Sequence, residues 1–302
     1  MKVLITGATG LIGQEIVGLC HQSEIDVHFL TTSKNKLTSE KNYKGFYWNP
    51  NSGEIDLDCF EDVEVIIHLV GATVAKRWTN NYKKEIINSR VVTTSLILES
   101  LKKGKHVVRH IVSASAIGIY PDSFQNYYME DSIKEDTGFL GEVVKKWEAA
   151  VNEFKTLNID VSLLRIGLVL SNKGGAFPKI ANPIKQGMGA VFGDGKQWQS
   201  WIHVEDLARM FMYVVEEELT GLYNAVAPNS ISNHRLTNVI ADHTAKKIVL
   251  PNVPKFMMKL ALGEMHVLLF SSQRVCSDKI LETGFRFKYD NIVLAVDSLI
   301  DQ

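Results

Sequence analysis

The chain has 302 residues, of which 45% are hydrophobic and 22% charged, and a formal net charge of −1 at pH 7, the profile of an ordinary globular protein. Charge this close to neutrality gives no electrostatic basis for binding nucleic acid or an anionic membrane, and no apolar run is long enough to span a bilayer. Cys20, Cys59 and Cys276 lie far apart without C-x-x-C spacing, which argues against a disulfide framework and against any metal site of zinc type; the first strand begins too soon after Met1 for a signal peptide, so the expected location is cytoplasmic.

A short apolar strand (Val3, Leu4, Ile5) runs into a turn with glycines at 7, 10 and 13, and an apolar helix follows. Gly7 lets the chain turn out of the strand, Gly10 lets the backbone approach a pyrophosphate, and Gly13 lets the helix pack close to the sheet. Thr9, Gly10, Leu11 and Ile12 then bring free N–H groups of a helix N-terminus toward the phosphates. The spacing is G-x-x-G-x-x-G, the form found in short-chain dehydrogenases.

The next strand, 26–31, ends at Thr31 and runs into Thr32, Ser33, Lys34, Asn35 and Lys36. A sheet that binds NAD(H) carries an acid about 20 residues past the glycines, for the ribose hydroxyls. None is present here. Hydroxyls and lysines suit a 2′-phosphate, which favours NADP(H) over NAD(H).

Strands at 64–70, 106–113 and 160–165 alternate with amphipathic helices at 80–103 and 139–156, the pattern of βαβ units and a parallel sheet. The segment VSASAIGIY (112–120) ends a strand in small hydroxyl residues. Ser115, with Ser113 as the alternative, is the candidate catalytic hydroxyl, although small residues would equally serve close approach of a cofactor. Tyr120 in the following loop and Glu142 on the next helix are the candidate proton donors or bases; Glu142 also has Lys145 and Lys146 in reach for a simple surface ion pair.

Beyond Ser171 the chain is rich in Gly and polar residues to about 200, as a long loop over a ligand cleft would be. A helix near 205–218, a strand near 222–226 and apolar helical stretches near 232–242 and 254–270 follow. The expected fold is α/β: a Rossmann-type doubly wound parallel sheet at 1–171, with 202–226 packing back on it, and a smaller α/β substrate lobe within 172–302. His68 and His203 have no ligand-spaced partner and read as hydrogen-bonded structural residues, and Asp206 reads as a helix cap or anchor.

GATGLIG (7–13 within the turn), KRWTNNYKKEIINSRVVTT (76–94), SASAIGIY, FLGEVVKKWEAA, RIGLVLSNKGGAFPKI (165–180), WQSWIHVEDLAR (198–209), YNAVAPNSISN and the late SSQRV and GFRFKY together resemble the atypical extended short-chain dehydrogenases known as the epimerase family, over nearly the full length. The resemblance implies a C-terminal domain of unknown function at about 247–296. It also implies NADP contacts at the glycine turn, Thr31, Thr32, Leu69, Val70 and the adjoining Gly71, at Glu85 and Arg90, and at Leu168, with relatives commonly holding Arg at the place of Thr32. Typical short-chain dehydrogenases use Tyr and, four residues later, Lys; no tyrosine here has that partner, and aligning Glu148 with the acid that often follows the motif puts Leu140 and Val144 in those places. The expectation is an NADP(H)-dependent oxidoreductase or epimerase acting on a small polar, sugar-like metabolite, possible as a homodimer, or else a non-catalytic NADP(H) sensor.

Overall fold

The computed structural model describes residues 1–300. Seven parallel strands form its centre: β1 (Lys2–Thr6), β2 (Asp26–Thr31), β3 (Tyr43–Asn49), β4 (Val65–His68), β5 (His110–Ala116), β6 (Asp160–Ile166) and β7 (Gly221–Ala225). Their spatial order is β3-β2-β1-β4-β5-β6-β7, and the short strands Ser39–Glu40 and Glu54–Ile55 pair antiparallel with β3. The order reverses between β1 and β4, so successive crossovers leave in opposite directions and a crevice opens at the carboxyl ends of those two strands. The fold is the expected Rossmann-type α/β sheet.

Helices α1 (Leu11–Gln22), α2 (Asn80–Lys103), α3 (Phe139–Asn152), α4 (Phe177–Lys185), α5 (Val204–Glu216), α6 (Asn233–His243) and α7 (Lys255–Leu262) cover the sheet and build the rest. α1 packs on α5 and α2 on α3. Because right-handed crossovers from β1 and β4 run opposite ways, the two pairs lie on opposite faces. With both faces covered, the strand interiors Val3, Leu4, Ile5, Val65, Ile66, Ile67, Ile111 and Val112 are continuous apolar runs with no exposed surface.

β5 lies at 110–116 rather than 106–113, and β3 is a strand that the hydrophobic pattern does not announce. The expected long loop after Ser171 contains α4, which starts with a proline in its first turn, a position where the missing N–H costs nothing. α4, α6 and the helix Ile292–Ile300 enclose a second core around Phe177, Ile184, Trp201, Leu236 and Val296. β7 joins the large sheet through β6, so the chain crosses into the second core and returns. Among the described residues no helix is long and apolar enough to cross a membrane.

Candidate functional site

The glycine turn sits at the crevice. Gly7 has φ +76°, in the left-handed region, and a Cβ there would press on the Leu69 backbone at 3.4 Å. At Gly13 a Cβ would lie 2.2 Å from the Gly7 carbonyl oxygen and 2.7 Å from Ala8 Cα, so no side chain fits between β1 and α1. Gly10 differs. It caps α1 and donates its N–H to Gly7 O at 2.9 Å, and a Cβ there would meet only that oxygen, at 3.1 Å, before open space. Thr9 and Gly10 are exposed, Leu11 and Ile12 half-buried, and the loop at 174–175 lies over Leu11, with Lys173 paired to Glu15 at 2.6 Å.

The floor of the crevice is held by His68. Thr6 Oγ1 accepts the N–H groups of Leu69 and Val70 at 3.1 and 3.4 Å and lies 2.9 Å from His68 Nδ1. Thr94 Oγ1 donates to Arg90 O at 2.6 Å and lies 3.0 Å from His68 Nε2. Thr94 therefore accepts from Nε2–H while Thr6 donates to Nδ1, which fixes a neutral ring. Burial without a charged partner pushes its pKa down to about 3. This histidine ties β1, β4 and α2 together.

Arg90 lines the same crevice. A Cβ on Gly71, just past Leu69 and Val70, would stand 2.9 Å from Arg90 Cζ. The guanidinium lies over the Trp147 ring at 4.9 Å, and one nitrogen donates to the carbonyls of Ile86 (2.9 Å) and Ala72 (3.2 Å). Among the described residues it meets no carboxylate, and its buried Nε has no partner. Burial lowers its pKa to about 10. A half-buried cation with a buried donor left unpaired is costly unless an anion arrives; the arginine and the open face at Gly10 thus fit a dinucleotide diphosphate. Glu85 is exposed near the start of α2, and Leu168 is half-buried, its N–H donated to Ser200 O at 2.8 Å.

After β2, Thr31 Oγ1 accepts the N–H of Ser33 at 3.1 Å, Thr32 is exposed, Lys34 lies over the Tyr47 ring at 4.9 Å and Lys36 Nζ reaches Thr9 Oγ1 at 3.4 Å.

The catalytic candidates separate. Ser115 Oγ donates to Glu148 Oε1 at 2.6 Å, and Arg165 grips both Glu148 oxygens, at 2.8 and 2.9 Å. Arg165 also donates to Tyr120 Oη at 3.0 Å, Tyr120 donates to Asn224 Oδ1 at 2.7 Å, and Glu130 accepts the Asn224 N–H at 2.8 Å. Burial raises the pKa of Tyr120 and Glu130, and the Glu148 carboxylate raises that of Arg165 despite its burial. Ser115 and Tyr120 thus belong to one buried network, 3% and 1% exposed. Ser113 is buried with its hydroxyl donated to Ala114 O at 2.9 Å. Glu142 stands apart, about half exposed and paired with Lys146 at 2.7 Å. Leu140 and Val144 face the turn after β5: a Cβ on Gly118 would lie 3.3 Å from Leu140 Cβ and 4.0 Å from Val144 Cγ2.

Sequence reasoning missed Glu148, Arg165, Asn224 and Glu130. The signal available was an arginine inside the apolar run LLRIG, since a charge in a central strand needs a buried partner. His203 and Asp206 are structural: His203 caps α5 by accepting the Glu205 N–H at 3.2 Å, and Asp206 accepts the N–H groups of Lys288 and Tyr289, both at 2.8 Å.

Residues 3–226 match the NAD dependent epimerase/dehydratase family, and residues 253–299 match a domain of unknown function, DUF1731. The chain is 34% identical over 301 residues to an epimerase family protein of Staphylococcus saprophyticus, covering 98% of each. It is 33% identical over 301 residues to the epimerase family protein YfhF of Bacillus subtilis, covering 99% of this chain and 98% of that one. Among solved structures it is similar to the human epimerase family protein SDR39U1 with NADPH, at TM-score 0.85 and 23% identity over 100% of both chains. A nucleoside-diphosphate sugar epimerase from Corynebacterium glutamicum gives TM-score 0.78 at 26% identity, covering 99% of this chain and 58% of that one.

Proposed function

The chain belongs to the NAD dependent epimerase/dehydratase family, and from that premise we propose that it binds NADP(H) over Gly7, Gly10 and Gly13 and acts with it on a small polar, sugar-like metabolite without a Tyr-x-x-x-Lys pair. The observation that carries the reading is Arg90, a half-buried guanidinium with no carboxylate partner among the described residues and a buried, unpartnered Nε beside Gly71. The α1 N-terminus, Thr9 and Arg90 hold the diphosphate, and the basic, acid-free stretch Thr31–Lys36 lies on the adenosine side. Bound there, the cofactor supplies hydride exchange. NADPH in the human relative and the nucleoside-diphosphate sugar epimerase in the Corynebacterium one support the cofactor and the substrate class.

Ser115 is the hydroxyl at the carboxyl end of β5, directed by Glu148, which Arg165 holds in place. Tyr120 backs it from the far side of Arg165, and Glu142, half exposed and paired with Lys146, is the acid of the α3 rim. A second reading, a protein that binds the cofactor and reports on it without turnover, is favoured by the apolar pair Leu140 and Val144 and by the commitment of both hydroxyls to buried partners. Calorimetric titration tests the shared part: NADPH is expected to bind at least about tenfold tighter than NADH, the scale of one charge-assisted contact, and equal or tighter NADH binding refutes the cofactor assignment. A metabolite panel scored by NADPH oxidation then divides the two readings, with tight binding and no turnover in any member supporting the second.

A further inference from the structure

The two lysines that follow β2 are held in different ways. Lys34 Nζ lies 4.9 Å over the Tyr47 ring, on the β3 side of the sheet. Lys36, two residues on in the same short turn, bends back across the gap between β2 and the glycine turn, and its Nζ donates to Thr9 Oγ1 at 3.4 Å. The turn that aims it is fixed by the Lys36 N–H donated to Ser33 O at 3.0 Å and the Ser33 N–H donated to Thr31 Oγ1 at 3.1 Å. No acid occurs between Thr31 and Lys36, and among the described residues neither lysine forms an ion pair.

We propose that Lys36 is the residue that recognises a 2′-phosphate on the adenosine ribose. The inference rests on the dinucleotide reading of the crevice. In sheets of this topology the ribose lies between the end of the second strand and the glycine turn, the gap that the Lys36 side chain spans. Thr32 is exposed at the edge of that gap, but its hydroxyl has no charge to set against a dianion. The Thr31 hydroxyl is already engaged by Ser33. Lys34 would have to leave an aromatic face to turn inward, whereas Lys36 is already turned, and its present contact is a single long hydrogen bond to a neutral hydroxyl. An ammonium is a compact point charge suited to phosphate from several directions, so no bidentate geometry is required.

The test is calorimetric titration of the wild type, Lys36→Gln and Lys34→Gln with NADPH and NADH. Both lysines are exposed, so the folded state is retained, and thermal melting checks this. Lys36→Gln is expected to weaken NADPH binding about 10- to 100-fold, the loss of one charge-assisted contact, and to change NADH binding less than about twofold. Lys34→Gln should change either by less than about threefold. A wild type with no preference for NADPH refutes the cofactor reading, and the role of Lys36 falls with it. A wild-type preference that survives in Lys36→Gln overturns the inference alone, as does an equal loss for both cofactors, which would place Lys36 on the shared diphosphate.

Discussion

A methyl group on Gly10 should separate the cofactor cradle from the fold. At φ −82° and ψ 174° the Gly10 backbone is ordinary extended chain open to alanine, and the added Cβ meets only Gly7 O, at 3.1 Å. The cost to the fold is that of a glycine N-cap becoming alanine, at most about 1 kcal/mol, or a few degrees in Tm for a chain of this size. The outward side of that Cβ is the volume a diphosphate must enter to accept N–H groups from the start of α1. Losing two such charged hydrogen bonds, at about 1.5–3 kcal/mol each, raises Kd by about 10²–10⁴-fold. Gly13→Ala is the contrasting perturbation. Its Cβ would overlap the Gly7 carbonyl at 2.2 Å and Ala8 Cα at 2.7 Å, forcing β1 and α1 apart, so Tm should fall by about 5 °C or more as binding is lost. NADPH titration and thermal melting of both variants decide the matter. Gly10→Ala binding within about threefold of wild type refutes the cradle, and an unshifted Tm in Gly13→Ala refutes the close packing ascribed to it.

Two further predictions concern buried charge. His68 titrates near 3 in the fold, below its ordinary value near 6.5, so its contribution to stability is fully present above about pH 6.5 and is lost as pH falls toward 3. The limit of that loss is on the order of 5 kcal/mol. In His68→Gln, urea midpoints should decline less steeply between pH 6 and 4 than in wild type, and an identical decline refutes the neutral relay. Glu148→Gln leaves Arg165 buried beside Tyr120 without a counter-charge and should destabilise by about 3–5 kcal/mol; a loss under about 1 kcal/mol in urea unfolding would show that the pair is not the lock described.

The parts legible in the sequence are those whose cause is local. The glycine turn announces itself because steric demand at Gly7 and Gly13 and openness at Gly10 fall within seven residues, and α2, α3 and α5 follow their apolar periodicity. β3 was hidden because YKGFYWN mixes lysine, glycine and aromatics, and becomes a strand by pairing with β2. β5 ran further than expected into SASA, since small residues have little strand preference of their own and are held by β4 on one side and β6 on the other. The Ser115–Glu148–Arg165–Tyr120–Asn224 chain had no spacing to read, because its members come from β5, α3, β6, β7 and the loop after β5.

α3 explains why the missing pair does not leave a gap. Leu140, Val144 and Glu148 are four residues apart and share one face of the helix. The first two press on Gly118, and the third meets Ser115 and Arg165 at the end of β5. The face is thus intact as packing but carries an ionisable group only at its inner end. Apolar side chains at 140 and 144 cannot lower the pKa of a phenol or stabilise a developing alkoxide. On the proposed enzymatic reading, the group left to answer charge beside α3 is on the β5 side, where Ser115 Oγ donates to Glu148, Arg165 grips Glu148 and donates to Tyr120, and Tyr120 donates to Asn224 Oδ1. Glu130, at the far end, accepts the Asn224 backbone N–H and has its pKa raised by burial.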